Sequence, residues 1–165
     1  MKKEDRSPVF LKKGYKIPPW MIPWIMSDKL NEYKPEEEVK QENMKVRIKS
    51  VSENEFVIVY NGFLYGDGDS FKQKDEFRLV FVGDNRVKIR HINGQFVRLD
   101  DNERLVADSN KNKAEVFKLE KVNNKEYAMK ATSNKKYVRV RDNDKRLVAK
   151  ADNVCKRCLF KFKQV

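Results

Sequence analysis

Histidine occurs once in this 165-residue chain, cysteine twice and glycine six times. With His91 alone, a Ser-His-Asp triad or a histidine-based metal centre would have to be assembled around a single imidazole. His91 ends an alternating segment beside Arg90 and reads as a surface strand residue. Cys155 and Cys158 stand three residues apart, which is no disulfide framework for a secreted scaffold and suits a reducing compartment. The glycines are scattered, so no phosphate-cradling loop is present. Asp67-Gly68-Asp69 lacks the downstream oxygen ligands of a calcium loop and reads as a turn. Also missing is any apolar stretch near the roughly 20 residues that would span a bilayer. The charged start, Met1-Lys2-Lys3-Glu4-Asp5-Arg6, is followed by prolines without a small-residue cleavage site, unlike a signal peptide. The expectation is a cytoplasmic or nucleocytoplasmic protein with no membrane span, no cofactor, no metal site and no catalytic residue, hence not an enzyme.

What is abundant is charge, at 38% of residues, on top of 39% hydrophobic and 11% aromatic content. That composition buries a core instead of remaining disordered. The net charge of +12 is uneven: +1 over residues 1–43, then −1 over 44–85, +4 over 86–125 and +8 over 126–165. A basic fold favours encounters with anionic partners without naming one.

From Met44 onward the chain resembles itself three times. Val46 and Ile48 answer to Val87 and Ile89 and to Tyr127 and Met129; Phe56-Val57 answers to Phe96-Val97 and Tyr137-Val138. Leu64 with Gly66 matches Leu105 with Ala107 and Leu147 with Ala149, and Phe77 with Leu79 matches Phe117 with Leu119 and Phe160 with Phe162. Each unit holds short runs of period-two alternation broken by turn residues such as Asn61-Gly62, Asn93-Gly94 and Ser133-Asn134. Three units are too few for a propeller. The expected fold is all-β: a β-trefoil of three four-stranded repeats (44–85, 86–125, 126–165) behind an irregular N-terminal arm. In that arm, residues 1–43, Pro8, Pro18, Pro19 and Pro23 surround Trp20 and Trp24 and forbid a regular helix; a polar linker follows. The apolar arm could pack on its own domain, cross to a second subunit or dock into a partner groove.

The third unit carries a family resemblance. Ala128-Met129-Lys130-Ala131, Asn134-Lys135-Lys136-Tyr137-Val138-Arg139, Leu147-Val148-Ala149-Lys150-Ala151 and Cys158-Leu159-Phe160-Lys161-Phe162 together resemble the repeat of amaranthin-like plant agglutinins. Val46-Arg47-Ile48-Lys49-Ser50 looks like the same opening. More broadly the pattern resembles fascin-like trefoils, which share the small-residue strand and the closing Phe. The first resemblance implies a non-enzymatic lectin for galactose-type disaccharides, its shallow site completed at a homodimer interface. In that family a hairpin Asn followed by aromatics contacts the sugar. Here Asn143 is followed by Lys145 and Arg146, Asn102 by Glu103 and Arg104, and only Asn61 by aromatics, Phe63 and Tyr65. The candidate glycan contacts are Asn61, Phe63, Tyr65, Asn102 and Asn143.

Charge supplies a second expectation. Lys136, Arg139 and Arg141 interleave with apolar residues along one strand of the third unit, and Lys145 and Arg146 follow in the next hairpin. These five are candidate anion contacts, through which a basic fascin-like trefoil would bind an anionic polymer such as RNA or a sulphated glycan, or a cytoskeletal or other protein partner. The motif Cys155-Lys156-Arg157-Cys158 cannot fill a four-ligand zinc site. Cys158 shares the inward parity of Phe160 and Phe162, so a closing core strand is expected, while the neighbouring cations leave a redox reading open.

Overall fold

Alternation decides the barrel. In β1 (Asn43–Ser50) every second residue is buried, Met44, Val46, Ile48 and Ser50, while Lys45, Arg47 and Lys49 face outward. The same alternation recurs in β6 (Arg86–His91) and β13 (Phe160–Gln164) and over most of β5 (Phe77–Gly83), β9 (Phe117–Asn123) and β10 (Glu126–Ala131). A computed structural model of the chain describes residues 43–71 and 74–165. Strand β1 pairs with β5, β5 with β6, β6 with β9, β9 with β10, β10 with β13, and β13 returns to β1, all antiparallel. Six strands thus close on themselves and leave no open edge.

The interior is filled by Ile48, Phe77, Leu79, Phe81, Ile89, Phe117, Leu119, Met129, Phe160 and Phe162, each at 0–1% exposure. Burying such side chains contributes about 1.5–3 kcal/mol apiece. Tyr127 stacks on Phe162 at 5.7 Å between ring centroids, and burial raises the pKa of its phenol.

The remaining strands are hairpins. β3 (Ile58–Tyr60) pairs with β4 (Phe63–Tyr65), β7 (Phe96–Leu99) with β8 (Leu105–Ser109), and β11 (Lys136–Val140) with β12 (Leu147–Ala151). A pairing of β4 with β8 and isolated bridges Tyr65 to Arg146 and Arg104 to Val148 join them into a cap.

The expectation of a β-trefoil of three four-stranded repeats is corrected by this topology. The architecture is a closed six-stranded barrel with extra strands, and the units differ. In the first, Val57 donates its N–H to Ile48 O at 2.7 Å and breaks the run, so β2 (Glu55–Phe56) pairs with β1 and only β3 continues into the hairpin. At the equivalent places, between Phe96 and Val97 and between Tyr137 and Val138, the strand continues through a register shift instead. The first unit also inserts a short helix, α1 (Gly68–Phe71), before β5. The arm assigned to residues 1–43 lies outside the described residues except for Asn43, which opens β1. No described helix is long and apolar enough to cross a membrane.

Several turns hold a non-glycine residue in the left-handed region, among them Lys125 at φ 64°, exposed between β9 and β10. A side chain there meets its own backbone. Lys125→Gly is therefore expected to stabilise the fold by about 0.5–1 kcal/mol, measured by chemical denaturation; an unchanged or lower stability would contradict the strain.

Candidate functional site

The three hairpin tips interlock through the backbone. Each has a left-handed residue just before β4, β8 or β12: Gly62 at φ 86°, Glu103 at 64° and Lys145 at 63°. Their carbonyls accept in a cycle: Gly62 O from Ala107 N at 2.7 Å, Glu103 O from Ala149 N at 2.8 Å and Lys145 O from Gly66 N at 2.8 Å. A Cβ at position 66 would lie 3.3 Å from Val140 Cγ2, so a side chain there requires Val140 to give by a few tenths of an ångström.

The residue following each left-handed position faces the centre of the cap: Phe63, Arg104 and Arg146. The guanidinium carbons of Arg104 and Arg146 lie 4.8 and 4.3 Å from the Phe63 ring centroid. Arg146 also lies 5.1 Å from the Tyr65 ring and donates to the Tyr65 hydroxyl at 2.6 Å. Cation–π contact and hydrogen bonding thus occupy both aromatics that the sequence offered as a sugar platform. The structure brings Phe63 and Tyr65 together with Arg146. Asn61, Asn102 and Asn143 sit exposed on three different tips. Asn61, at φ 52°, shapes its turn with Gly62, and the Asn102 N–H donates to Asp100 Oδ1.

Four of the five candidate anion contacts of the third unit face carboxylates. Lys136 pairs with Asp152. Arg141 grips Asp144 with two hydrogen bonds, 3.0 Å from Nε and 2.6 Å from Nη2. Arg146 Nε lies 3.7 Å from the same carboxylate. Lys145 and Arg157 both donate to Glu53 at 2.6 Å, across from the first unit. Arg157 reaches Asp142 as well, at 2.5 Å. The Arg141 hydrogen bond holds the Asp144 carboxyl down at about 2, and Lys145 lowers Glu53 in the same way. Arg139 pairs with none of these carboxylates, and its Nε is buried without a hydrogen-bond partner.

A different basic surface emerges on the outer wall of the barrel. Strand β6 turns Arg86, Lys88 and Arg90 outward in succession. Register then places Arg78 of β5 opposite Arg90, Lys45 of β1 opposite Arg78, Lys118 of β9 opposite Arg86, and Lys130 of β10 opposite Lys118. Like charges directly opposite on neighbouring strands are destabilising. Among the described residues no carboxylate forms an ion pair with Arg78, Arg86, Lys88, Arg90, Lys118 or Lys130; Lys45 shares Glu76 with Arg47, at 3.6 and 3.5 Å. Arg78 and Arg90 line two adjoining concavities of about 230 and 470 Å³, which continue the surface towards Lys45 on one side and Lys111 on the other. The period-two cations of Arg86-Val87-Lys88-Ile89-Arg90 were visible in the sequence. Their cross-strand partners were not, because register is a property of the closed barrel.

His91 is not the free surface residue expected. Its Nε2 lies 2.9 Å from Asp75 Oδ2 and its ring 5.3 Å from Phe77, leaving the side chain 11% exposed. Asp75 Oδ2 also accepts from Val59 N at 2.7 Å, so the pair ties the approach to β5 to the first hairpin. Asp69 N donates to Glu55, whose carboxyl is raised by burial and by its hydrogen bond with Asp67. No group of metal-ligating side chains forms among the described residues.

With this geometry in place, comparison with known proteins is informative. A fascin domain model matches residues 40–162, so the chain belongs to the fascin-domain family. Among solved structures it is similar to a designed 3-fold symmetric protein, ThreeFoil, at 13% identity and a TM-score of 0.59, covering 73% of this chain and 99% of that one. It is also similar to a salivary protein of Culex quinquefasciatus from the cysteine- and tryptophan-rich family, at 20% identity and a TM-score of 0.57, covering 75% and 94%. No curated protein matches the sequence. The fold is thus a fascin-like, trefoil-like all-β domain; the finer resemblance to amaranthin-like agglutinins gains no support from the family match.

The Arg141–Asp144 contact sets an acid limit. Asp144 ionises more readily folded than unfolded, so its contribution is complete above its ordinary value of 3.8 and is lost as the pH falls through about 2. Denaturation between pH 5 and 2 is expected to show a shallower decline for Asp144→Asn than for the parent chain; parallel declines would mean the pair carries no pH-dependent stability.

Proposed function

We propose that this fascin-family domain is a non-enzymatic binding module that takes an anionic polymer on the outer wall of its barrel. The observation that carries the reading is the register of β5 and β6, which holds Arg78 against Arg90 beside Lys88 and Arg86 with no carboxylate partner among the described residues. An incoming row of sulphate or phosphate groups relieves that repulsion and accepts the guanidinium donors, and the released counterions add to affinity. The aromatics that hold unstacked bases are missing from these positions, so the polymer is read through its charged groups. On this reading the anion surface centres on the first and second units, with Lys130 of the third at its edge, because Lys136, Arg141, Lys145 and Arg146 already face carboxylates. A galactose-type site at Asn61, Phe63 and Tyr65 is the weaker reading, since a sugar ring stacked there would have to displace Arg146.

A heparin-derived oligosaccharide is the probe, with a duplex RNA to compare phosphate against sulphate and a galactose-type neutral glycan as control. The logarithm of the binding constant is expected to fall linearly with the logarithm of salt concentration. Arg78→Glu and Arg90→Glu should each weaken binding by about ten-fold, while Lys136→Ala changes it by less than about two-fold. Salt-resistant binding of the neutral glycan would sink the proposal and return the site to the hairpin cap.

A further inference from the structure

The chain's two thiols meet at the turn into β13. Cys155 caps the 3₁₀ turn Lys156–Cys158, and the Cys158 N–H donates to Cys155 O at 2.9 Å. That one tight turn brings the Sγ atoms to 2.8 Å, less than an ångström beyond a disulfide's ~2.05 Å. Access to the two sulphurs is unequal: Cys155 is exposed and Cys158 is buried, at 0% exposure, ahead of Phe160 and Phe162. A soluble reagent therefore reaches Cys155, and Cys155 is the sulphur beside Cys158. The flanking Arg157 is anchored to Glu53 and Asp142, which pins the turn between the β1–β2 connection and the third hairpin. The pair so held is not a metal site, because no cluster of further ligands surrounds it among the described residues.

We propose that Cys155 and Cys158 form a thiol–disulfide exchange site for small-molecule disulfides such as oxidised glutathione, with Cys155 as the attacking thiol and Cys158 as the resolving one. The Cys155 thiolate attacks one sulphur of the reagent; a mixed disulfide forms at Cys155 and one thiolate leaves. Cys158 then attacks the Cys155 sulphur, its proton passing to the second departing thiolate. The protein loses two electrons and two protons, and one reagent disulfide becomes two thiols. Burial, with the hydrogen bond to Cys155, pushes the Cys158 thiol up to about 12, against a smaller pull from the Arg139 guanidinium. Ring closure accordingly accelerates as the pH rises.

The experiment uses the full chain in glutathione buffers of increasing oxidised fraction, followed by alkylation and mass spectrometry. The expected product is a monomer lighter by two hydrogens that takes up no alkylating agent and regains both thiols on reduction. Cys158→Ser, or Cys158→Ala if the hydroxyl disturbs the core, should accumulate the mixed disulfide at Cys155. Cys155→Ser should react at least about ten-fold more slowly, because the remaining sulphur is buried. Alkylation of both cysteines at every ratio, a disulfide between chains, or equal reactivity of the two single variants would overturn the assignment.

Discussion

The double pairing of β1 is the constraint on which the structure depends. One edge of this strand takes β5, the next barrel strand in the chain, and the other takes β13, the last. Val46 is in register with Phe77 on one side and with Gln164 on the other, so residues almost ninety positions apart are fixed against the same strand. Closure removes the exposed edges that an open sheet would present. It also sets the far end of β1 against the approach to β13, where Val51 N donates to Leu159 O at 3.0 Å. Glu53, two residues on, is thereby brought within reach of Lys145 and Arg157.

The charge map follows from that closure. The third unit has the largest positive excess of the three, yet Lys136, Arg141, Lys145, Arg146 and Arg157 face carboxylates supplied by their own turns, Asp142, Asp144 and Asp152, and by Glu53 from the first unit. The second unit has a smaller excess, but β6 aligns Arg86, Lys88 and Arg90 on one face and its neighbours add Arg78 and Lys118 at matching heights. Net charge counts residues; potential depends on which of them stand together unneutralised. The proposed polymer-binding wall rests on the second quantity.

The cap shows the same division between pattern and placement. The match of Leu64 with Leu105 and Leu147, legible in the sequence, sets Phe63, Arg104 and Arg146 in equivalent positions, and the cyclic hydrogen bonds through Gly62, Glu103 and Lys145 converge them. The sequence identified Phe63 and Tyr65 as aromatics behind an Asn and assigned Arg146 to an anion surface. Only the meeting of the hairpins made Arg146 the partner of both rings. His91 illustrates the point again, since its carboxylate, Asp75, belongs to the segment before β5 and becomes its neighbour through the β5–β6 ladder.

By itself the sequence determined the all-β class, the threefold self-similarity from Met44 onward, the inward positions of each barrel strand and the inward parity of Cys158. These follow from period-two alternation and turn chemistry, which are local and act within a few residues. The tertiary structure decided the closed six-stranded barrel, the inequality of the first unit, the pairing of the third unit's cations and the alignment of cations on the outer wall. All of these depend on strand register and on the contact of segments distant in the chain, for which local alternation carries no information.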